Sequence, residues 1–96
     1  MLDDYINKNN EKTAYRTIDG EAVVVNLKDS TFHTLNPVAT FIWEQADGRI
    51  KTRQIIEKIC EEFEVDWVTA EKDCLEFLGQ LIDKGLVVLS QNPVEG

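Results

Sequence analysis

The sequence predicts an α+β domain with a winged-helix-like layout, in which a three-stranded antiparallel sheet is followed by three helices. Two observations predict it. Short β-branched runs separated by turn residues occupy the first third of the chain, and apolar residues spaced three and four apart occupy most of the remainder. A chain of 96 residues is long enough for one such domain with a single core.

Three strand-like runs open the folded part of the chain, at residues 14–18, 21–27 and 31–35. Asp19-Gly20 separates the first two runs and is a dipeptide favoured in tight hairpin turns. Lys28-Asp29-Ser30 makes the next turn. Because turns this short join neighbouring strands, we expect an antiparallel meander.

Helical spacing begins at Asn36-Pro37, where Asn is a good N-cap and Pro suits the first helical position. We expect this first helix to end near Asp47-Gly48, with the glycine as a left-handed C-terminal cap. A second helix is predicted with Thr52 as its N-cap. A third runs from an N-cap at Asp66 to about Lys84, and the glycine that follows closes it.

Both ends of the chain are expected to lie outside this domain, which spans residues 13–90. Residues 1–12 are polar and rich in Asn and Lys, which predicts a flexible N-terminal arm. Residues 91–96 predict a flexible tail. The apolar segment at residues 86–89 is interpreted either as an extra strand or as a strap over the core.

Composition excludes several classes of function. The net charge is -8, with eighteen acidic residues against ten basic ones, so we expect no nucleic-acid partner. No apolar run approaches the roughly 20 residues of a membrane span, and the acidic N-terminus does not resemble a signal peptide. We therefore expect a cytoplasmic protein that does not associate with a membrane.

The sequence supplies no catalytic constellation. The one histidine, His33, lacks partners at the spacing of a nucleophilic triad or a metal site. Cys60 and Cys74 together with that histidine fall short of the four ligands of a structural zinc site, and we interpret both thiols as reduced and buried. We expect a protein that is not an enzyme and has no catalytic residues, no metal and no cofactor.

The third helix is apolar over about half of its circumference. One stripe, which we expect to face the core, contains Val68, Leu75, Leu78 and Ile82. A second stripe beside it contains Trp67, Ala70, Cys74, Phe77 and Leu81. The pattern is compatible with two interpretations: both stripes are core, or part of the second stripe lines a groove beside an open strand edge that accepts a peptide by β-augmentation.

The order of motifs along the chain resembles the PqqD family over roughly residues 14–89. The matching pieces are Asp19-Gly20, Ser30-Thr31-Phe32-His33-Thr34-Leu35-Asn36-Pro37, Ile42-Trp43, Asp47-Gly48, Ile55-Ile56, Phe63-Glu64-Val65-Asp66, Asp73, Phe77-Leu78, Leu81 and Gly85-Leu86. Each piece is a weak signal alone, whereas the whole series in this order is fairly specific.

This resemblance implies a function in peptide recognition. Domains of the family bind the leader of a ribosomally synthesised precursor peptide and present its core to a modifying enzyme, often a radical SAM protein, as in pyrroloquinoline quinone (PQQ) biosynthesis. The resemblance also implies that the leader adds as a strand beside the third strand and packs against the third helix. The peptide-binding residues implied in this sequence are Thr31, Phe32, His33, Thr34 and Leu35 of the strand, with Cys74, Phe77, Leu78 and Leu81 as the apolar wall.

Two other functions remain open at this point. The tri-helical layout is typical of winged-helix regulators that bind nucleic acid, although the acidic charge opposes it. A general protein–protein adaptor fits the same residues. An open strand edge is also compatible with a homodimer.

Overall fold

The structure is a computed structural model that describes residues 1–94. In chain order its elements are β1 (Tyr5–Lys8), β2 (Thr13–Ile18), β3 (Glu21–Asn26), β4 (Thr31–Thr34), α1 (Pro37–Gln45), β5 (Asp47–Lys51), α2 (Thr52–Phe63), α3 (Trp67–Asp83) and β6 (Val87–Ser90). The predicted α+β class, with a three-stranded antiparallel sheet and three helices, is confirmed.

The predicted meander is present as a sheet with the order β2-β3-β4. Tyr15 pairs with Val24, and Val24 pairs with His33, so these three side chains share one face of the sheet. Asp19 (φ 52°) and Gly20 (φ 82°) both adopt the left-handed conformation that a two-residue type I′ turn requires. The meander therefore has two edges, formed by β2 and β4.

A second sheet, which the sequence did not predict, has the order β5-β1-β6. Its central strand lies within the segment expected to be a flexible arm, so that expectation was wrong for residues 5–8. β1 pairs antiparallel with both neighbours, and Ile6 is fully buried. A strand of four residues with one buried apolar side chain gives too short a pattern to recognise, because its stability comes from partners far away in sequence.

The chain ends are attached to this second sheet. The segment at residues 86–89 is a strand rather than a strap, since Val87–Ser90 pairs with β1. The Val94 N–H donates to the Gly48 carbonyl at 2.8 Å, which ties the segment after β6 to β5. Residues 95 and 96 of the predicted tail lie outside the described residues.

α1 begins as predicted and ends earlier than predicted. The Asn36 side chain accepts a hydrogen bond from the Ala39 N–H at 2.8 Å, which confirms it as the N-cap. The helix stops at Gln45 because the residues from Asp47 onward form β5 and pair with β1. Gly48 therefore lies in a strand and is not the helix cap.

α2 begins one residue away from the prediction. Lys51 is its N-cap, and its N–H donates to the Gln54 side chain at 2.9 Å. Thr52, the predicted cap, is the first helical residue and is fully buried, with its hydroxyl donating to the Asp4 carbonyl at 3.2 Å. α3 begins as predicted, since the Asp66 carboxylate accepts a hydrogen bond from a first-turn amide at 3.1 Å.

One core joins the three helices to both sheets. Its largest fully buried side chains are Trp43, Ile6, Ile42, Ile55, Ile56, Ile59, Leu78, Leu86 and Val24. The Tyr15 ring meets the Trp43 ring edge-on at 5.5 Å, which packs the meander onto α1. Because α3 contributes Leu78 to this core, its flanking residues are held at a fixed position beside the meander.

Candidate functional site

β4 presents an open row of backbone groups at the edge of the meander. The Leu35 N–H donates to the Ala22 carbonyl at 2.8 Å, so Leu35 directs its backbone toward β3. Hydrogen-bonded and non-hydrogen-bonded pairs alternate along antiparallel strands, so Phe32 and Thr34 direct their N–H and C=O groups away from β3. Among residues 1–94, no other strand pairs with this side of β4. The edge is therefore open to an added strand.

The turn before β4 fixes the start of this edge. The Asp29 carboxylate accepts hydrogen bonds from the Thr31 hydroxyl at 2.7 Å and from the Thr31 N–H at 3.0 Å. These hydrogen bonds lower the pKa of Asp29, so it stays ionised to more acidic pH than an ordinary aspartate. The Thr31 hydroxyl also lies 3.3 Å from Nε2 of His33. Side-chain contacts thus hold the first residue of β4 at the turn.

A buried threonine fixes the other end of the edge. Thr40, which is 2% exposed, accepts a hydrogen bond from the Ala22 N–H at 2.9 Å. Its hydroxyl also lies 3.3 Å from the Leu35 carbonyl, to which it donates. Together with the Asn36 cap, these bonds set the corner at which β4 passes into α1.

The C-terminal half of α3 faces the β4 edge across a cleft with a volume of about 420 Å³. The strand side of the cleft is formed by residues 32–36, and the helix side by Phe77, Gln80, Leu81 and Lys84. Leu81 is only 3% exposed whereas Phe77 is half-buried, so Phe77 offers the more accessible apolar surface.

A second lobe of about 400 Å³ extends the cleft toward α1. The two lobes share Asn36, Ala39, Phe77 and Gln80, and so form one continuous groove. The second lobe adds Val38 and Ile42 from α1 and Asp73 and Glu76 from α3. The groove therefore extends beyond β4 and becomes acidic at its α1 end.

The structure brings six of the nine residues predicted for peptide binding to the cleft: Phe32, His33, Thr34, Leu35, Phe77 and Leu81. Thr31 lies in β4 at the turn, outside the cleft lining. Cys74 and Leu78 are fully buried, so they lie beneath the cleft in the core rather than on its accessible wall. Burial raises the pKa of the Cys74 thiol to about 12, which keeps it protonated and unreactive.

The core face of α3 differs from the predicted one. Val68 is 72% exposed and Leu75 is partly exposed, although both were expected to face the core. Leu78 and Ile82 of the same predicted stripe do pack in or against the core. The buried residues of the helix are Ala70, Cys74, Leu78 and Leu81, which come mainly from the second predicted stripe. An apolar surface covering half of the circumference does not reveal which side packs inward. Most of the second stripe is therefore core, and Phe77 at its border lines the cleft.

The site predicted from sequence left out several polar residues of the groove, among them Asp73 and Glu76 of the α1 lobe and Gln80, Lys84 and Thr40. Gln80 lies three residues after Phe77, and Lys84 lies three residues after Leu81, so the helical spacing that selected the apolar wall also selects them. Thr40 carries no comparable signal, because its role depends on two backbone groups from distant parts of the chain.

The described residues contain no group of three or more His, Cys, Asp or Glu side chains that could hold a metal ion. Within residues 1–94 there is also no helix with the length and apolar character needed to span a membrane. The cleft offers open backbone groups at its strand edge, apolar surface at Phe77, and charged side chains at both ends.

The profile of a protein family described as coenzyme PQQ synthesis protein D (PqqD) matches residues 21–87, which is more than half of the chain. The chain belongs to the PqqD family. The resemblance inferred from the motifs is thereby confirmed. The PqqD match begins at β3 and extends into β6, so it includes both walls of the cleft.

A solved structure of TbiB1 in complex with the TbiA(beta) leader peptide is similar to this PqqD-family chain. The TM-score is 0.76 at 30% sequence identity, and the match covers 84% of this chain and 93% of the TbiB1 chain. No curated protein sequence matches the chain.

Proposed function

We propose that this PqqD-family chain binds the leader segment of a ribosomally synthesised precursor peptide, which adds as a strand to β4. The observation that carries the proposal is the open β4 edge beside an apolar cleft of about 420 Å³. TbiB1, which has a similar fold, is bound to a leader peptide in its solved structure. Both findings support a polypeptide ligand held by backbone hydrogen bonds and side-chain pockets.

In this binding mode the backbone of β4 supplies most of the specific polar contacts. Phe32 and Thr34 each offer one N–H donor and one C=O acceptor to the leader. Each hydrogen bond contributes about 0.5–1.5 kcal/mol net. The identity of the β4 side chains therefore matters less to affinity than an edge that is open and held straight.

The wall of α3 supplies the apolar contacts. Alternate residues of an added strand point to the same face, so every second leader residue points toward α3. Phe77 receives the apolar residue among them, and Leu81, which is 3% exposed, lines the same cleft. Cys74 and Leu78 act from the core, where they fix the position of this wall.

We further propose that the bound leader is presented to a modifying enzyme, with a radical SAM protein as the candidate partner. In this role the chain contributes recognition and no catalysis of its own. Cys60 and Cys74 are both free thiols, which fits function in the reducing cytoplasm.

An NMR titration with synthetic candidate leader peptides, taken from any short open reading frame near the gene, tests the proposal. We expect amide shifts at residues 31–36 and 76–84, where the edge and the helical wall lie. The other edge of the meander, at residues 13–18, is an internal control because it is an edge strand remote from the cleft. Shifts at residues 13–18 or 46–52 without shifts in β4 would contradict strand addition at this edge.

A parallel titration with duplex DNA at low salt separates this function from that of a nucleic-acid-binding regulator. The exposed side of α3 carries Asp73, Glu76 and Asp83 against Lys72 and Lys84, so its net charge is negative and repels phosphate. We expect no amide shifts in α3. Binding through α3 that weakens steeply with added salt would favour the regulator instead.

A further inference from the structure

The groove has opposite charges at its two ends. Glu76 and Asp73 line the lobe next to α1, and Lys84 lines the lobe next to Phe32. The lobes meet at residues common to both, which include Phe77 and Gln80. A strand that lies along β4 and α3 therefore meets carboxylates at one end and an ammonium group at the other.

These charges are available for a ligand. The ion pairs found among residues 1–94 join Met1 to Asp4 and Arg53 to Asp3, and neither involves the groove. Glu76 and Lys84 are both exposed, and along α3 they lie on either side of the apolar surface formed by Phe77 and Leu81.

The distance between the two charged ends of the groove sets the spacing of the complementary charges in a bound peptide. Glu76 and Lys84 are eight residues apart on α3, which corresponds to about 12 Å along a helix. Four residues of an extended strand span about 14 Å, and residues at positions i, i+2 and i+4 point to the same face. A peptide strand can thus place its first and fifth residues at the charged ends. Its third residue then lies beside Gln80, which is about 6 Å from Glu76 along the helix and is flanked by the apolar residues Phe77 and Leu81.

Strand direction decides the order of the charges. β4 and α3 run in opposite directions along the groove, since Phe32 lies in the Lys84 lobe and Asn36 extends to the Glu76 lobe. Antiparallel pairing is somewhat more stable per residue than parallel pairing. An added strand antiparallel to β4 begins at the acidic end, near Leu35, and finishes at the Lys84 end.

We propose that this groove selects peptide strands that carry a basic residue, an apolar residue two positions later and an acidic residue four positions later. The inference rests on the proposed leader binding and adds the chemistry that distinguishes one leader from another. Glu76 and Lys84 are then specificity-determining residues, one at each end of the apolar contact.

Selection from a displayed library of random 12-residue peptides tests the inference with three forms of the full chain. The baits are the wild type, the double variant Glu76→Lys/Lys84→Glu, and a control double variant Glu57→Lys/Lys58→Glu on the exposed side of α2. All three have the same net charge. The control variant changes residues that do not line the groove.

We expect the wild type and the control to enrich the basic–x–apolar–x–acidic order, and the Glu76→Lys/Lys84→Glu variant to enrich the reverse order. In subsequent titrations, reversing the two charges in a selected peptide should weaken binding to the wild type by about tenfold, as expected for exposed ion pairs.

Two other outcomes separate the inference from the proposed function. In the first, the enriched peptides shift the β4 amides but show no preferred order of charges, or the wild type binds a selected peptide and its charge-reversed form with equal affinity. Either result would overturn the charge selection and leave leader binding intact. Enriched peptides that shift no β4 amides would overturn both.

Discussion

Replacing Thr34 by proline should weaken leader binding without removing the fold. Thr34 is exposed and points its N–H away from β3, so proline deletes a donor that the sheet does not use. Edge strands tolerate proline where the N–H faces solvent. The preceding residue, His33, already lies in a strand, which is the conformation that a following proline favours.

The expected loss of affinity follows from the contacts that the Thr34→Pro substitution removes. One backbone hydrogen bond to the leader is lost, and the leader carbonyl that accepted it is left unpaired against the β4 edge. A net bond contributes about 0.5–1.5 kcal/mol, and an unsatisfied buried acceptor costs about 1–3 kcal/mol. Because the cost of the unsatisfied acceptor already includes the lost bond, we expect a loss of about 1–3 kcal/mol, which corresponds to a fall in affinity of roughly 5- to 150-fold.

Thr17→Pro is the matched control on the opposite edge of the same sheet. The Ala22 carbonyl is directed toward Leu35, on the β4 side of β3, so it does not face β2. Thr17 and Ala22 therefore form a non-hydrogen-bonded pair, and the Thr17 N–H points outward from β2. Both substitutions therefore remove an outward N–H from an edge strand. Only Thr34 adjoins the cleft.

Isothermal titration calorimetry with the leader peptide measures the affinities, and circular dichroism melting verifies that each variant is folded. We expect Thr17→Pro to bind like the wild type. A folded Thr34→Pro variant that binds with wild-type affinity would refute strand addition at β4. Equal losses in both variants would show that the effect comes from general weakening of the sheet.

Three further predictions concern the rest of the fold. In the native protein an excess of a thiol reagent at pH 8 should modify the partly exposed Cys60 and spare Cys74, whose burial raises its pKa to about 12; mass spectrometry of the labelled chain checks this. Hydrogen bonds from the first turn of α3 lower the pKa of Asp66 in the folded protein. The ionised carboxylate therefore stabilises the fold fully above the pKa that Asp66 has in the unfolded chain, and this stabilisation is lost as the pH falls through the lower pKa of the folded state. Urea midpoints should therefore converge for the wild type and Asp66→Asn as the pH falls below 3.8, the ordinary aspartate value. Gly48→Ala should lower the melting temperature more than Gly20→Ala, because both glycines have positive φ but only a Cβ at Gly48 would collide with the C-terminal segment.

The parts of the fold that could be predicted from sequence are those determined by local chemistry. The type I′ turn at Asp19-Gly20 and the helix caps at Asn36 and Asp66 act within a few residues, and each was located correctly. β1 could not be found this way, since its four residues are stabilised by β5 and β6 from the other half of the chain.

The candidate site likewise has one part that could be predicted from sequence and one part that could not. The open edge follows from the meander, which the sequence revealed. Whether a residue of α3 lines the cleft or lies beneath it depends on the rotation of the helix, and a helix with apolar residues over half of its surface leaves that rotation undetermined. Phe77 and Leu78 are adjacent in sequence, yet one lines the cleft and the other is fully buried.

The meander has two edges, and the topology explains why only one of them suits recognition. β2 is an edge strand that does not adjoin the cleft, whereas β4 passes through the Asn36 corner into the helices and α3 returns beside it. Backbone pairing alone would accept almost any extended segment, including the same edge of a second copy. A leader and a second copy would use the same outward groups of Phe32 and Thr34, so binding of one excludes the other. Discrimination between them must therefore come from the α3 wall, where the apolar contact lies between two opposite charges.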